Sequence, residues 1–227
     1  MPEDAQLVVE LGAGTGKLTR AVAALGVRIV AVEPDPRMLA VLRENGLEGV
    51  EGSAEAIPFD AGAAGAVVAG SSLHWFALER ALPEIHRVLR PGGRFGFGWN
   101  HRDTRDPAIA RMSETIYAAQ GRTERPHWQS RDWPAEVTAD RLFGTAEYRL
   151  FEHVHELSRE ALGDHLMSYS GVAALPAAKR DEVFDDVAAI LDGDPAIAAG
   201  ETLRLPFVVN AYRVRRIDHS RRAALGS

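Results

Sequence analysis

The chain has 227 residues and a formal net charge of -6, with 46% apolar and 26% charged residues, as is typical of one globular domain or of one domain with an added cap. The absence of cysteine excludes disulfides, thiolate metal sites and a cysteine nucleophile. There is no apolar run of membrane-spanning length and no signal-peptide pattern, and the acidic charge disfavours nucleic acid. We therefore expect a cytoplasmic protein with neither a membrane nor a nucleic-acid partner.

Short apolar runs alternate with amphipathic stretches in the first hundred residues. The spacing predicts strands over Leu7–Leu11, Arg28–Glu33, Gly49–Gly52, Ala66–Ser72 and Arg94–Trp99. It predicts helices over Lys17–Leu25, Pro36–Glu44 and Leu78–Leu89, and Asp35 is a good N-cap for the second. Strands separated by helices indicate βαβ units and an α/β fold with a mostly parallel sheet. The loops that follow the strands should then lie on one edge of that sheet, where such folds bind ligands.

The pattern changes after Asn100. A charged stretch (102–106), a helix (Ile109–Ala119) and an aperiodic segment with Pro and Trp (121–136) suggest a small helical or irregular cap over 101–145. A strand from Tyr148, helices over Ser158–Leu175 and Pro176–Leu191, and a strand over Thr202–Ile217 predict that the sheet ends in an antiparallel pair. We thus expect one domain over 1–227, with a ligand-binding half at 7–100 and a second half at 146–227.

The basic run Arg213–Arg222 is the one local exception to the acidic composition. We interpret it as a solvated last strand and tail, and a phosphate-binding role is the alternative.

Three glycines, Gly12, Gly14 and Gly16, lie between the first strand and the first helix. Glycine permits positive φ and close approach of a ligand to the backbone, and the N-terminus of the helix favours a carboxylate or phosphate. Glu33 ends the next strand about 20 residues later, where a carboxylate can bind ribose hydroxyls. Loop and carboxylate together predict a nucleoside-containing ligand, and a tight turn without a ligand is the alternative.

The glycine spacing bears on which nucleoside is bound. The loop reads G-x-G-x-G, whereas a dinucleotide fingerprint is G-x-G-x-x-G, and a P-loop requires Ser or Thr directly after Gly-Lys. An NAD(P)-dependent oxidoreductase is therefore disfavoured, and a nucleoside-binding protein without turnover is a further alternative.

Four motifs, "VVELGAGTGKLT", "AVEPDPRML", "EGSAEAIPFD" and "EIHRVLRPGGRF", follow one another between residues 7 and 100. With this set the chain resembles the class I S-adenosylmethionine-dependent methyltransferases, specifically the UbiE-like, type 11 small-molecule branch. The resemblance implies a Rossmann-like doubly wound sheet with a terminal antiparallel strand. It also implies S-adenosyl-L-methionine as cofactor, S-adenosyl-L-homocysteine as product, and in-line methyl transfer to a small-molecule acceptor through O, N or C.

The resemblance further implies which residues surround the cofactor. Glu10 and the glycine loop would enclose its methionine part, Glu33 would bind the ribose, Pro34 and Met38 would pack near the adenosine, and "GSAE" would reach the adenine. Ser53 stands where many relatives have Asp, and a hydroxyl accepts more weakly from the adenine amino group. Glu55 is either an adenine contact or an exposed loop charge. The implied cofactor residues are Glu10, Gly12, Ala13, Gly14, Gly16, Glu33, Pro34, Met38, Ser53, Ala54, Glu55 and Ser71, the last through its backbone.

The acceptor is expected beyond the fourth and fifth strands, where the substrate-binding candidates are His74, Trp75, Trp99 and Asn100. His74 is the catalytic candidate, because its pKa range suits a general base, and a substrate-orienting hydrogen bond is the alternative. Trp75 and Phe76 are interpreted as pocket wall or core. Asn100 either binds substrate or ends its strand.

Other aromatic and histidine residues have simpler interpretations. His153 and His155 alternate on a strand without a third ligand, so we interpret them as surface histidines and predict no metal site. Trp128 and Trp133 either cover the acceptor or form a small core in the cap.

Only "MPEDAQ" precedes the first strand, whereas relatives carry a longer segment that covers the cofactor. We expect either a truncated start or a lid supplied by Asp103–Asp140 or by a partner subunit. Because a partner subunit is one source of such a lid, a homodimer is one of the arrangements that we expect.

Overall fold

The computed structural model describes residues 7–122 and 130–218. The strands are β1 (Val8–Leu11), β2 (Ile29–Glu33), β3 (Gly49–Glu51), β4 (Ala64–Gly70), β5 (Leu89–Arg102), β6 (Glu147–Ser158), β7 (Ala198–Ala199) and β8 (Thr202–Arg215). The helices are α1 (Lys17–Ala23), α2 (Pro36–Glu44), α3 (Leu78–Val88), α4 (Pro107–Ala119), α5 (Trp133–Thr138), α6 (Leu162–Met167), α7 (Ser170–Ala173) and α8 (Ala177–Asp192), and a 3₁₀ turn covers Leu73–Trp75.

The strands form one sheet in the order β3-β2-β1-β4-β5-β8-β6, and β7 pairs with β8. Strands β1 to β5 pair in parallel. Strand β8 runs antiparallel to β5, because the amide of Arg216 donates to Gly93 at one end and the amide of Asp103 donates to Pro206 at the other. The predicted α/β doubly wound, mostly parallel sheet with a terminal antiparallel strand is confirmed. The strand order reverses at β1 and β4, which is where such sheets bind ligands.

The chain divides into two compact units. The first comprises residues 1–99, 132–149 and 210–227, and its buried apolar side chains include Val9, Leu11 and Phe95. The second comprises residues 100–131 and 150–209, with a core that includes Met112 and Leu166. The segment 101–145 contributes α4 to the second unit and α5 to the first. The division into two halves and a cap stays a prediction.

Three helices begin with the same local chemistry. Asp35 accepts a hydrogen bond from the amide of Arg37 ahead of α2, Asp106 accepts from Ala108 and Ile109 ahead of α4, and Asp132 accepts from Ala135 ahead of α5. A proline occupies the first turn of each helix, where its missing N–H costs nothing. These caps satisfy amides that have no partner within the helix, and the predicted bounds of α2 are confirmed.

Several predicted elements are wrong. The helix over Ser158–Leu175 is replaced by the end of β6 and two short helices, α6 and α7. Helix α5 begins within the aperiodic segment, and helix α1 ends at Ala23 because the chain turns at Gly26, where φ is +76°. Trp128 and the end of the basic run, 219–222, lie outside the described residues. Within the described part of that run, Arg213 contacts Glu147 and Arg216 lies 3.1 Å from Asp218.

Candidate functional site

The glycine loop follows β1 at the switch point of the sheet. Gly12, Gly14 and Gly16 have φ values of +65°, +58° and +86°, a region that side chains rarely adopt. A Cβ on Gly12 would come within 2.7 Å of the Ser72 Cβ, whereas a Cβ on Gly14 would meet Met38 Sδ at 3.9 Å. The loop thus packs closely against the end of β4 on one side and has room near Met38. This is a cradle that a side chain would obstruct, and it fits a nucleoside cofactor.

Glu33 joins this loop to the end of β2. Its side chain is only 5% exposed; Oε2 accepts a hydrogen bond of 2.7 Å from the amide of Gly14, and Oε1 accepts one of 2.9 Å from Asp35. Each carboxylate oxygen has a second lone pair, so the group can still accept from ribose hydroxyls. Pro34 and Met38 are exposed beside it. The structure therefore brings together Gly14, Glu33 and Met38, three residues implied by the resemblance.

Glu10 is buried beneath the loop and is 1% exposed. The hydroxyl of Thr19 donates to its Oε2 at 2.5 Å. Burial raises the pKa of Glu10 to about 7, with a smaller contribution from the charge of Glu33, and the Thr19 hydrogen bond opposes the shift. Thr19 was missed by sequence analysis. The sequence signal for this contact is a threonine in the first turn of α1, the helix that follows the strand carrying Glu10.

Ser72 is a second residue that the sequence did not reveal. It is buried, and its hydroxyl donates to the carbonyl of Leu11 at 2.7 Å, so it links the carboxyl ends of β4 and β1. Ser71, implied as a backbone contact, is exposed with a φ of +56°. Its amide already donates to Gly98 at 2.8 Å. That amide is thus already engaged within the sheet, and the contact of the Ser71 backbone with the cofactor stays a prediction.

The segment Ser53–Glu55 follows β3. Ala54 is buried, and Ser53 pairs with Ala56 in an isolated bridge. Glu55 is half-buried and accepts a hydrogen bond of 2.9 Å from the amide of Ala77. Burial alone would raise the pKa of Glu55, but its hydrogen bonds with the Ala77 amide, its own amide and Ser53 outweigh this, so the pKa is lowered. Glu55 is thus not a free loop charge, because it holds the start of α3.

The aromatic residues after β4 and β5 differ in exposure. Trp99 is buried, and its indole nitrogen donates to Nδ1 of the half-buried His74 at 3.3 Å. Trp99 also packs against Trp133 with ring centroids 5.1 Å apart. Trp75 is 80% exposed, so the interpretation of Trp75 as core is wrong; Phe76 is half-buried. The 3₁₀ turn accounts for this, because it buries Leu73 and leaves Trp75, two residues later, exposed.

Asn100 and the histidines of β6 lie in the second unit. The Asn100 Oδ1 lies 3.0 Å from Nε2 of His153, and the His153 ring stacks on Phe207. His153 and His155 are exposed, as predicted. Across residues 7–122 and 130–218, no group of three or more His, Cys, Asp or Glu could hold a metal ion. The same ranges contain no helix long and apolar enough to span a bilayer.

Comparison with known sequences gives matches along nearly the whole chain. Residues 9–97 match the family model described as a methyltransferase domain. An uncharacterised methyltransferase of Mycobacterium tuberculosis is 39% identical over 94% of this chain and 84% of its own length. The ubiquinone/menaquinone biosynthesis C-methyltransferase UbiE of Rubrivivax gelatinosus is 38% identical over 41% of this chain and 39% of its own.

Solved structures show the same fold. A protein from Anabaena variabilis, named as a methyltransferase of an antibiotic biosynthesis pathway, superposes with a TM-score of 0.62 at 18% identity over 92% of this chain and 91% of its own. A Haemonchus contortus phosphoethanolamine N-methyltransferase, solved with S-adenosyl-L-methionine, gives a TM-score of 0.52 at 14% identity over 94% of this chain and 49% of its own. The Mycobacterium tuberculosis relative, the family-model match and the UbiE relative, on a fold shared with these structures, show that the chain belongs to the class I S-adenosylmethionine-dependent methyltransferases.

Proposed function

We propose that the chain binds S-adenosyl-L-methionine in the glycine loop and transfers its methyl group to a small-molecule acceptor, with S-adenosyl-L-homocysteine as product. The observation that carries this proposal is the 2.7 Å hydrogen bond between the Gly14 amide and Glu33. It joins the loop after β1 and the carboxylate at the end of β2 into one cradle. Both are parts that a nucleoside with an attached amino acid would contact.

The residues of this cradle have distinct proposed tasks. Glu33 would accept from the ribose hydroxyls, the loop backbone with Glu10 nearby would enclose the amino-acid part, and Met38 would flank the adenosine. Ser53 and Ala54 would lie at the adenine edge. When bound, the cofactor supplies a methyl group activated by a sulfonium. The chain's own task is then to align the acceptor and exclude water.

The acceptor side is proposed to involve His74, Trp75, Trp99 and Asn100. A carboxylate acceptor needs no general base, whereas a hydroxyl or carbon acid benefits from one. The Rubrivivax relative is named as a C-methyltransferase, so carbon stays open beside oxygen and nitrogen. The net charge of -6 supports a small acceptor over nucleic acid. The relatives named above are methyltransferases, which favours methyl transfer over the oxidoreductase alternative.

Ligand-induced stabilisation tests the proposal. S-adenosyl-L-homocysteine and S-adenosyl-L-methionine should raise the melting temperature, by the equivalent of about 2.7 kcal/mol at a hundred times Kd, and NADH should not. Glu33→Gln should weaken binding of S-adenosyl-L-homocysteine about tenfold or more, because a charged acceptor is lost and an amide donor faces backbone donors. Glu51→Gln is the matched control, since Glu51 is exposed on β3 beside Glu33.

Two outcomes would contradict the proposal. Stabilisation by NADH alone would assign the cradle to a dinucleotide, and equal affinities in both glutamine variants would remove Glu33 from the site. Incubation with methyl-labelled cofactor and a metabolite extract then tests turnover. Labelled small molecules are expected, and label in RNA or protein alone would overturn the acceptor class.

A further inference from the structure

A groove lies between α1 and α2, within the first compact unit and beside the glycine loop. Its volume is about 370 Å³, which is within the range of small-molecule sites. Among the described residues that line it, two are cations and none is a carboxylate, although the chain contains 32 Asp and Glu residues. The groove is thus a positively charged place on an acidic chain. The lining residues are Thr15, Lys17, Arg20, Val41 and Asn45.

The two cations of the groove belong to α1 and lie on one face of it, because residues three apart in a helix are neighbours. Within the part of the chain that the structure describes, the side chains of Lys17 and Arg20 form no hydrogen bond or ion pair. Arg37 of α2, in contrast, pairs with Asp35 at 2.8 Å. Like charges at helical spacing repel each other. An anion bound between Lys17 and Arg20 would therefore relieve a repulsion that the chain leaves uncompensated.

The opposite wall comes from the end of α2. The Asn45 side-chain nitrogen donates to the carbonyl of Val41 at 2.8 Å, which fixes the amide and leaves its second N–H able to donate. The Val41 side chain is 41% exposed. Thr15 adds an exposed hydroxyl from the loop. The polar groups of the groove can thus all donate to an anion, while Val41 offers apolar surface to the rest of a ligand.

We propose that this groove binds the phosphate group of a small organic ligand, and that its occupancy tightens cofactor binding. Arginine and lysine are the usual partners of phosphate, and a phosphate that is close to a dianion at neutral pH matches two cations. The net charge of -6 disfavours an extended polyanion. A small anion responds mainly to the cations beside it, because salt screens charges beyond about 10 Å.

The coupling to the cofactor follows from the position of Thr15, and this part of the inference rests on the proposed function. Thr15 stands between Gly14 and Gly16, whose positive φ values shape the loop. A ligand that holds Thr15 would restrict that loop and lower the cost of ordering it around the cofactor. The two affinities should then depend on each other to the same extent in both directions.

Titration calorimetry with phenyl phosphate tests the site. Inorganic phosphate lacks the apolar part, benzoate carries a carboxylate instead, and phenol is neutral. The variants are Lys17→Gln, Arg20→Gln and the double variant. Arg90→Gln is the matched control, because it removes an exposed arginine of β5 that does not line the groove. Melting temperatures show whether each variant folds.

Phenyl phosphate should bind equally to wild type and Arg90→Gln, more tightly than inorganic phosphate or benzoate, and phenol should not bind. Each single variant should weaken phenyl phosphate several-fold and the double variant about tenfold or more. Equal affinity in wild type and the double variant, or no binding by wild type, would overturn the site. Equal binding of benzoate would overturn the phosphate class, and equal binding of inorganic phosphate would overturn the organic ligand. Binding of poly(U) RNA through these two cations, without phenyl phosphate, would assign the groove to nucleic acid instead.

The coupling is measured as the affinity for S-adenosyl-L-homocysteine with and without saturating phenyl phosphate. Phenyl phosphate should tighten it several-fold in wild type and Arg90→Gln, and leave it unchanged in the double variant. Unchanged affinity in wild type, with phenyl phosphate bound, would overturn the coupling. Failure of wild type to bind S-adenosyl-L-homocysteine, with phenyl phosphate still bound through Lys17 and Arg20, would overturn the proposed function and leave the phosphate site. The reverse result would overturn the phosphate site alone.

Discussion

The indole N–H of Trp99 donates to Nδ1 of His74 across 3.3 Å. An indole nitrogen can only donate, so Nδ1 presents its lone pair, and the neutral ring then carries its proton on Nε2. With this tautomer, assigned from the hydrogen bond, His74 is a donor at Nε2 rather than a base there. The geometry therefore favours the orienting role of His74 over the general base.

Removing the Trp99 donor should change this tautomer. In Trp99→Phe the ring of His74 loses the partner that fixes Nδ1, so a mixture of tautomers is expected where wild type has the Nε2–H form. Nitrogen-15 NMR of histidine-labelled protein measures the change. His86, whose Nε2 lies 2.9 Å from the carbonyl of Ile217, is the internal control. An unchanged His74 signal in the variant would show that Trp99 does not set the tautomer.

Glu10 should make folding stability fall as the pH rises. Its pKa is about 7 in the folded chain against an ordinary value of 4.5, so between these values the folded state binds a proton that the unfolded chain releases. The contribution of Glu10 to the free energy of unfolding should decline by about 3 kcal/mol between pH 4.5 and 7.5. Urea unfolding of wild type and Glu10→Gln across this range measures it as the difference between the two curves.

Glu44→Gln is the control for Glu10, because it removes an exposed carboxylate from α2. The plot of its free energy of unfolding against pH should stay parallel to that of wild type. Parallel curves for Glu10→Gln as well would mean that Glu10 is ionised at little cost in the folded chain.

Gly12→Ala should impair both stability and cofactor binding. The new Cβ would strain a backbone at φ +65° and would also lie 2.7 Å from the Ser72 Cβ. Gly26→Ala is a matched control, since φ is +76° there and nothing lies within 4 Å of the added Cβ. We expect Gly26→Ala to cost about 1–2 kcal/mol from backbone strain alone and Gly12→Ala to cost more. Only Gly12→Ala should weaken binding of S-adenosyl-L-homocysteine. Equal effects of both variants on stability and on binding would contradict the steric argument.

Ser72→Ala should lower stability because it leaves the buried carbonyl of Leu11 without its 2.7 Å hydrogen bond. The expected cost is about 1–3 kcal/mol, with weaker binding of S-adenosyl-L-homocysteine because the end of β1 is released. Ser71→Ala changes the adjacent, exposed serine and should alter neither. Ser71→Gly should stabilise by about 0.5–1 kcal/mol, since φ is +56° at this position. Chemical denaturation and calorimetry measure all three variants, and a neutral Ser72→Ala would contradict the linking role.

The first hundred residues were predictable because local chemistry and tertiary structure agree there. Asp35 and Pro36 mark the start of α2, and Glu33 ends a fully buried β2. The same Asp and Pro signature opens α5 at Asp132, where the surrounding Trp and charged residues obscured it. Between residues 158 and 175 the sequence pattern predicts one helix. The chain instead forms two short ones, which isolated propensity would not stabilise.

The site was predictable in part for a related reason. Glycines and a strand-terminal carboxylate leave a pattern in the sequence, and the motif order predicts that Gly14 and Glu33 lie together. Ser72 and its carbonyl partner Leu11 are 61 residues apart, so no local pattern reports their contact. The core alternative for Trp75 is wrong because an apolar residue after a strand resembles core, whereas the 3₁₀ turn at this position leaves its side chain exposed.

Glu33 has a consequence for engineering the enzyme toward synthetic methyl donors. Its two oxygens connect Gly14 to Asp35, so one side chain serves as both the proposed sugar anchor and the joint between two loops. Substituting it to admit a modified sugar would also loosen the cradle. Redesign for altered donors should therefore begin at Met38 and Pro34, whose side chains are exposed beside that joint, and leave the carboxylate in place.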